Sequence, residues 1–313
     1  MTVLHIVTYL SLLIFLSVFL ARIIRIATTP VHLRWELYPV PHEKGKFGYG
    51  GSRLEETDWW TKKQHKDRLG GLKVMIPEVM LLKGVLDHNR ELWLGSYPFH
   101  FGLYIMMGNM ALTVLASILV MAGVPVGAGT AGLPHVLYLA INILLWAGSA
   151  IGLIGSVRLF FARLVEARLR AYSTASHYFN ILLIGAIFAS VLLWRITDTE
   201  CVDEMIGYYI AVFSFSGPMP AIPAAGYIHI GVFLLFMAYF PFTHMTHFLT
   251  KYFTYHSVRW EDKPNTPENR MQDKISKCLN QPVTWAAPHI GADGSKTWLA
   301  VTASPVPEQE VKK

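Results

Sequence analysis

The amino-acid sequence predicts an all-α, polytopic membrane protein of five transmembrane helices. Three observations carry this reading: 53% hydrophobic against 15% charged residues, five uninterrupted apolar stretches, and a Lys/Arg distribution that alternates between successive connections. An average soluble domain carries about a quarter charged residues, so the composition argues against a soluble globule.

A span needs about 20 predominantly apolar residues, because the hydrocarbon core is roughly 30 Å thick and a helix rises about 1.5 Å per residue. Residues 3–27, 99–124, 133–161, 178–196 and 221–253 meet that requirement. In lipid the backbone must satisfy its own hydrogen bonds, which leaves helices or a closed barrel. Strand-length alternation is absent, so helices are expected. The first stretch lacks a basic start and ends in Ala21-Arg22-Ile23-Ile24-Arg25 without a small-residue cleavage site, and is read as a retained helix rather than a signal peptide.

Orientation follows from the basic residues. The connection between the first two spans is dense in them, from Arg34, Lys44 and Lys46 to Lys73, Lys83 and Arg90, while residues 125–132 hold none. The third connection repeats the signal with Arg158, Arg163, Arg168 and Arg170, and the fourth carries Asp198, Glu200, Asp203 and Glu204. Basic loops face the cytoplasm, which puts the amino terminus outside and the carboxyl terminus in the cytoplasm of a bacterial or archaeal cell membrane. The net charge of +6 then reflects topology and anionic membrane lipid, with no nucleic-acid partner called for.

Four regions result: a first helix (1–28), a cytoplasmic partner-binding segment (29–98), a membrane region of four helices (99–253) and a cytoplasmic tail (254–313). The second region holds a turn-rich stretch at 45–51 and an apolar cluster at 72–86 interrupted by Pro77, the pattern of interfacial helices or a partner platform. The tail is polar, with aromatic anchors at 282–285 and 291–298. It is too short for a sizeable core of its own and is expected to dock on another subunit. Cys201 and Cys278 fall on opposite sides of the membrane in this topology, so neither is paired or in metal-ligand company.

The chemistry sits in the histidines. An imidazole inside a membrane is costly and tends to mark function. His229 and His247 lie 18 residues apart, five turns of an uninterrupted helix, which would set them on one face about 27 Å apart. Neutral imidazole is a natural axial ligand of haem iron, and two ligands stacked on one face at opposite depths suit a two-haem wire across the bilayer. His100, at the cytoplasmic start of the second span, matches His247 in depth and would complete an inner haem. For the outer haem, His229 needs a partner near the outer leaflet. His135, at the outer start of the third span, is the candidate of the right type, or alternatively a quinone binder. Met110, about 15 Å beyond His100 on the same helix, is the alternative as a thioether ligand. His244 lies about 60° off the line of His229 and His247 and is expected to meet a propionate or the interface, and His177 to be interfacial or beside a helix cap.

The run Phe99-His100-Phe101-Gly102-Leu103, the basic Arg168-Leu169-Arg170-Ala171, and the stretch from His229 through Phe240-Pro241-Phe242 to His247 resemble the membrane cytochrome b family of the respiratory nitrate reductase gamma subunit. Arg34-Trp35-Glu36-Leu37-Tyr38-Pro39 and Pro282-Val283-Thr284-Trp285 are similar to its DsrM and TmcC branch, which serves sulfur-metabolising, heterodisulfide-reductase-like complexes. The resemblance implies two b haems, a (mena)quinone as substrate near the outer haem, and a cytoplasmic iron–sulfur subunit as partner; a periplasmic multihaem cytochrome c is the alternative to quinone at the outer haem. His100, His229 and His247 carry over to the family pattern. The chain departs from it at Met110, where the family has a second histidine of span two, and at the start of span three, where the nitrate reductase branch places a lysine for quinone.

The sequence therefore reads as an electron-conducting cytochrome b subunit of a quinone oxidoreductase complex. A proton-relaying transporter subunit and a haem-free membrane anchor are the rivals. The spans lack the mid-membrane carboxylates of proton-coupled transport, and an absorption spectrum separates all three.

Overall fold

The computed structural model of the chain describes residues 2–28, 45, 55–58, 61–63, 67–215, 217–249 and 270–303. The Arg34 to Pro39 run, most of the 45–51 turn stretch and the end of the fifth apolar stretch beyond residue 249 lie outside the described residues. The fold is all-α, as expected, and among the described residues five helices are long and apolar enough to cross a membrane. The chain divides into two units: Met1–Leu20 with Met75–Thr246, and Ala21–Val74 with His247–Lys313.

In the first unit, the part of α1 (Val3–Thr28) up to Leu20 turns polar His5, Thr8 and Ser11 inward and leaves Leu10, Leu13, Leu16 and Leu20 exposed. This inverts a soluble helix, as expected where the surroundings are lipid. Two short helices, α2 (Arg68–Met80) and α3 (Lys83–His88), lead into α4 (Arg90–Met121). The α4 helix begins nine residues before the apolar stretch does, because Asn89 accepts from the Leu92 N–H at 3.0 Å and caps it. His100 is thus in the third turn of a long helix, with Pro98 tolerated inside it.

Gly132, at φ 67°, and Pro134 start α5 (Leu133–Val165). A five-residue turn of helix, α6 (Ala167–Ala171), joins it to α7 (Ala175–Thr197). The α4 and α5 backbones meet at glycine: a Cβ on Gly102 would collide with the backbone of Gly152. Small residues at such crossings replace the hydrophobic drive that lipid cannot supply. On its other side Gly152 receives the fully buried ring of Phe188 from α7.

The acidic fourth connection, expected as a loop, is a helix, α8 (Cys201–Phe213). Asp203 and Glu204 sit in its first turn, where carboxylates complement the helix dipole. Cys201, Val202, Ile206, Tyr208, Ala211 and Val212 bury its other face. Neutral hydrogen bonds hold it: Tyr9 Oη donates to the Val212 carbonyl (2.8 Å), Ser117 Oγ to that of Ile206 (3.3 Å), and the Thr8 and Tyr208 hydroxyls pair at 2.7 Å.

The last span, α9 (Ala224–Tyr239), corrects the expectation of one helix through residue 253. It gives way to 3₁₀ turns at Phe240–Phe242 and His244–Thr246, with Thr243 extended between them. Pro241 has no N–H to continue the helix, and its ring crowds the preceding turn. The close helix pairs form a row, α4 to α5, α5 to α7 and α7 to α9, with α8 against α4, α5 and α7.

In the second unit, the tail residues build a small core. An amphipathic helix, α10 (Arg270–Leu279), precedes a two-residue hairpin, β1 (Ala286–Ala287) with β2 (Ala292–Asp293), and a final helix, α11 (Trp298–Ala303). Val283, Ala292 and Val301 are buried together, with Ile290 and Trp298 packed on them.

Candidate haem site

Hydrogen bonding sorts the histidines of the first unit into two chemical kinds. A ring nitrogen facing a carbonyl must carry the proton, since a carbonyl accepts and cannot donate. His100 Nδ1 donates to the Ser96 carbonyl one turn back on α4, at 2.7 Å. His229, in the second turn of α9, meets Ser190 of α7 at 3.0 Å through Nδ1. The single Ser190 proton goes to the Ile187 carbonyl at 3.1 Å, so Nδ1 of His229 is the donor. Both rings therefore hold their lone pair on Nε2. That is the form of an axial ligand whose other nitrogen is anchored by a hydrogen bond.

His5 and His177 are the opposite tautomer. The Thr2 N–H donates to His5 Nδ1 at 3.2 Å and the Thr174 N–H to His177 Nδ1 at 3.0 Å, with each threonine hydroxyl also on that nitrogen. Each is a helix-start box in which histidine takes the place usually held by Glu or Gln. His177 is thus the cap neighbour expected for it. His5 is fully buried and donates from Nε2 to the Ala211 carbonyl of α8 at 3.3 Å. The sequence reading passed over His5, although Thr2-x-x-His5 repeats the signal of Thr174-x-x-His177.

The remaining candidates are placed as follows. His135 lies in the first turn of α5, and its Nδ1 is buried with no hydrogen-bond partner. Met110 is on α4 with 40% of its surface exposed. His244 lies against His177 with ring centroids 4.7 Å apart and the rings tilted by 42°, and receives the Asn180 amide at 3.5 Å. His247 is exposed and begins the second unit. Because α9 ends at Tyr239, the five-turn, same-face relation between His229 and His247, which requires a continuous helix, does not apply. The helices that carry His100 and His229 are the two ends of the row from α4 to α9.

Around His229 the bundle is aromatic and polar at once. Trp194 and Phe233 lie 6.0 and 6.4 Å from its ring, centroid to centroid, and Trp194 Nε1 donates to Glu204 at 2.8 Å. Tyr138 Oη donates to Asp203 at 2.7 Å. None of Ser190, Trp194, Tyr138 or the α8 carboxylates was legible as a site residue, since the sequence reading had made α8 a solvent loop.

The profile of the nitrate reductase gamma subunit family matches residues 84–261, more than half of the chain. The chain belongs to the nitrate reductase gamma subunit family. That family is a membrane dihaem cytochrome b that carries electrons from quinone, as a membrane subunit of a respiratory complex. Comparison with curated proteins and with solved structures gives no match. The residues present fit the haem b that nitrate reductase gamma subunits typically bind. Two imidazoles on different helices are held in the ligating tautomer, aromatic rings adjoin both, and a third imidazole keeps a buried nitrogen without a partner.

Proposed function

We propose that this chain is the electron-conducting subunit of a quinone oxidoreductase complex of the DsrM and TmcC type, with two b haems. His100 and His247 hold the inner haem. His229 holds the outer one, with His135 as its second ligand and Met110 as the alternative. The observation that carries the reading is the shared tautomer of His100 and His229, each with Nδ1 committed as a donor and Nε2 left with the lone pair. His247 enters on sequence alone. Imidazole is the stronger and more usual haem b ligand, which favours His135 over Met110.

Haem supplies reversible one-electron transfer when bound. The chain's own residues do the rest. Ser96 and Ser190 fix ring orientation, Trp194 and Phe233 exclude water from His229, and the basic residues that sequence places on the cytoplasmic side face an iron–sulfur partner. Electrons enter at the outer side from a menaquinol, or alternatively from a periplasmic cytochrome c, and leave to that partner.

Pyridine haemochrome analysis and visible spectra of the purified subunit test this. About two haem b per chain are expected from the two proposed ligand sets, and His100→Ala or His247→Ala should each delete the same spectral component. A spectrum without haem would return the chain to the anchor or transporter readings, and survival of both components in either variant would break the inner pairing.

A further inference from the structure

We propose that Tyr138 and Asp203 form the outlet by which protons of an oxidised quinol leave the membrane region. This rests on the quinol-oxidising reading above. Tyr138 is buried at 8% exposure inside α5, and Asp203 is exposed at the start of α8. The 2.7 Å hydrogen bond between them spans the step from the bundle interior to water in two groups.

Two carboxylates of α8 receive a proton donor from the bundle, and their donors differ in kind. Trp194 reaches Glu204 through an indole N–H, which donates and never accepts. That bond braces and cannot relay. A phenol both donates and accepts, so Tyr138 can take one proton as it gives up another. Holding α8 in place does not require a carboxylate there, since His5, Tyr9, Thr8 and Ser117 already hold it through neutral bonds. One helical turn before Tyr138, on the same face of α5, His135 keeps its Nδ1 buried and without a partner. It is a polar atom that a quinone head group would engage.

The step balances. For each electron leaving the quinol for haem, one quinol O–H bond breaks and its proton passes to Tyr138 Oη. The Tyr138 proton moves along its bond to Asp203 Oδ2, and the neutral carboxyl then releases it to water. Two such steps oxidise the quinol to quinone. Among the described residues, the charged and titratable groups at this end of the bundle include Arg195 of α7, which lies over the Trp146 ring at 5.9 Å, Asp198 and Glu200 of the turn into α8, Cys201 and Glu204 of α8 itself and His135 of α5.

Haem-loaded subunit in membranes, reduced by menadiol under stopped flow, tests the outlet. Asp203→Asn keeps an acceptor for Tyr138 but cannot take a proton. It should slow haem reduction by about a hundredfold, the usual scale for a lost acid–base group. Dithionite-reduced spectra should stay as in the wild type, and Asp203→Glu should restore the rate. A protonated-carboxyl band in redox-difference infrared spectra should vanish in Asp203→Asn. Tyr138→Phe, which keeps the ring, should match Asp203→Asn in rate. A wild-type rate of haem reduction in either variant would overturn the outlet. A wild-type protein that menadiol does not reduce would overturn the quinol reading, and the outlet with it.

Discussion

At the residue scale, the hydrogen-bond partner of Nδ1 separates His5, His177, His100, His229 and His135 into three groups. A threonine N–H on Nδ1 makes a helix cap, as at His5 and His177. A carbonyl or a committed serine on Nδ1 leaves the lone pair on Nε2, as at His100 and His229, the form proposed above to hold haem. An empty Nδ1 marks His135 as incomplete. Ser190→Ala removes the anchor of His229 while leaving the ring. Outer-shell losses of this kind typically cost about 10–100-fold in cofactor affinity, so faster transfer of the outer haem to apomyoglobin is expected, with the inner component unchanged. The sixth ligand is decided by a matched pair of variants. Met110→Leu keeps volume and apolarity and should leave the outer haem spectrum and potential as in the wild type, whereas His135→Ala should abolish low-spin character there. The reverse pattern would assign Met110 as the ligand.

At the element scale, close approach and helix interruption do the positioning. The contact of Gly102 with Gly152, with Phe188 on the far side, sets the spacing of α4, α5 and α7. Gly152→Leu has no room on either side, and overpacking of roughly 1–3 kcal/mol should appear as a lower melting temperature and loss of both haems together. At the end of α9, Pro241→Ala restores the missing N–H and should let the helix continue. Protection of the 240–244 amides in hydrogen exchange should rise, and the inner haem component should shift while the outer one stays. In the tail, the Ser295 N–H and hydroxyl and the Lys296 N–H all converge on Asp293, lowering its pKa from 3.8 to about 2. A lowered carboxylate stabilises the fold above the unfolded value near 3.8 and loses that contribution as pH falls through the folded value. An NMR titration should put the Asp293 inflection near 2, with the hairpin amides losing protection over the same interval and no such loss between pH values of about 5 and 7.

At the scale of the whole molecule, a unit that carries His100 on α4 and His229 on α9 is accompanied by a second unit with its own small core. The core of Val283, Ala292 and Val301 gives the tail a fixed surface, including the Trp285 and Trp298 rings 6.0 Å apart, that a soluble partner could recognise. Truncation after Arg259 removes all of it. The expected result is an unchanged haem spectrum and weaker co-purification of a cytoplasmic iron–sulfur subunit. Undiminished co-purification would make the tail a passive extension.

The sequence by itself determined the five spans, since apolar length against bilayer thickness is a property of composition along the chain. It also determined the histidine types and the departure at Met110, which are matters of residue identity. Tertiary structure alone decided the rest. That α8 is a buried helix depends on a partner for its apolar face, which charge counting along 198–204 does not register. The break after Tyr239 overrode a hydrophobic run that reads as continuous, because one missing N–H at Pro241 is invisible to hydropathy. Which nitrogen of each histidine carries the proton depends on a carbonyl or hydroxyl brought to it in space. His100 finds its partner on its own helix, within reach of a sequence argument, but His229 finds Ser190 on α7, and only packing brings that pair together.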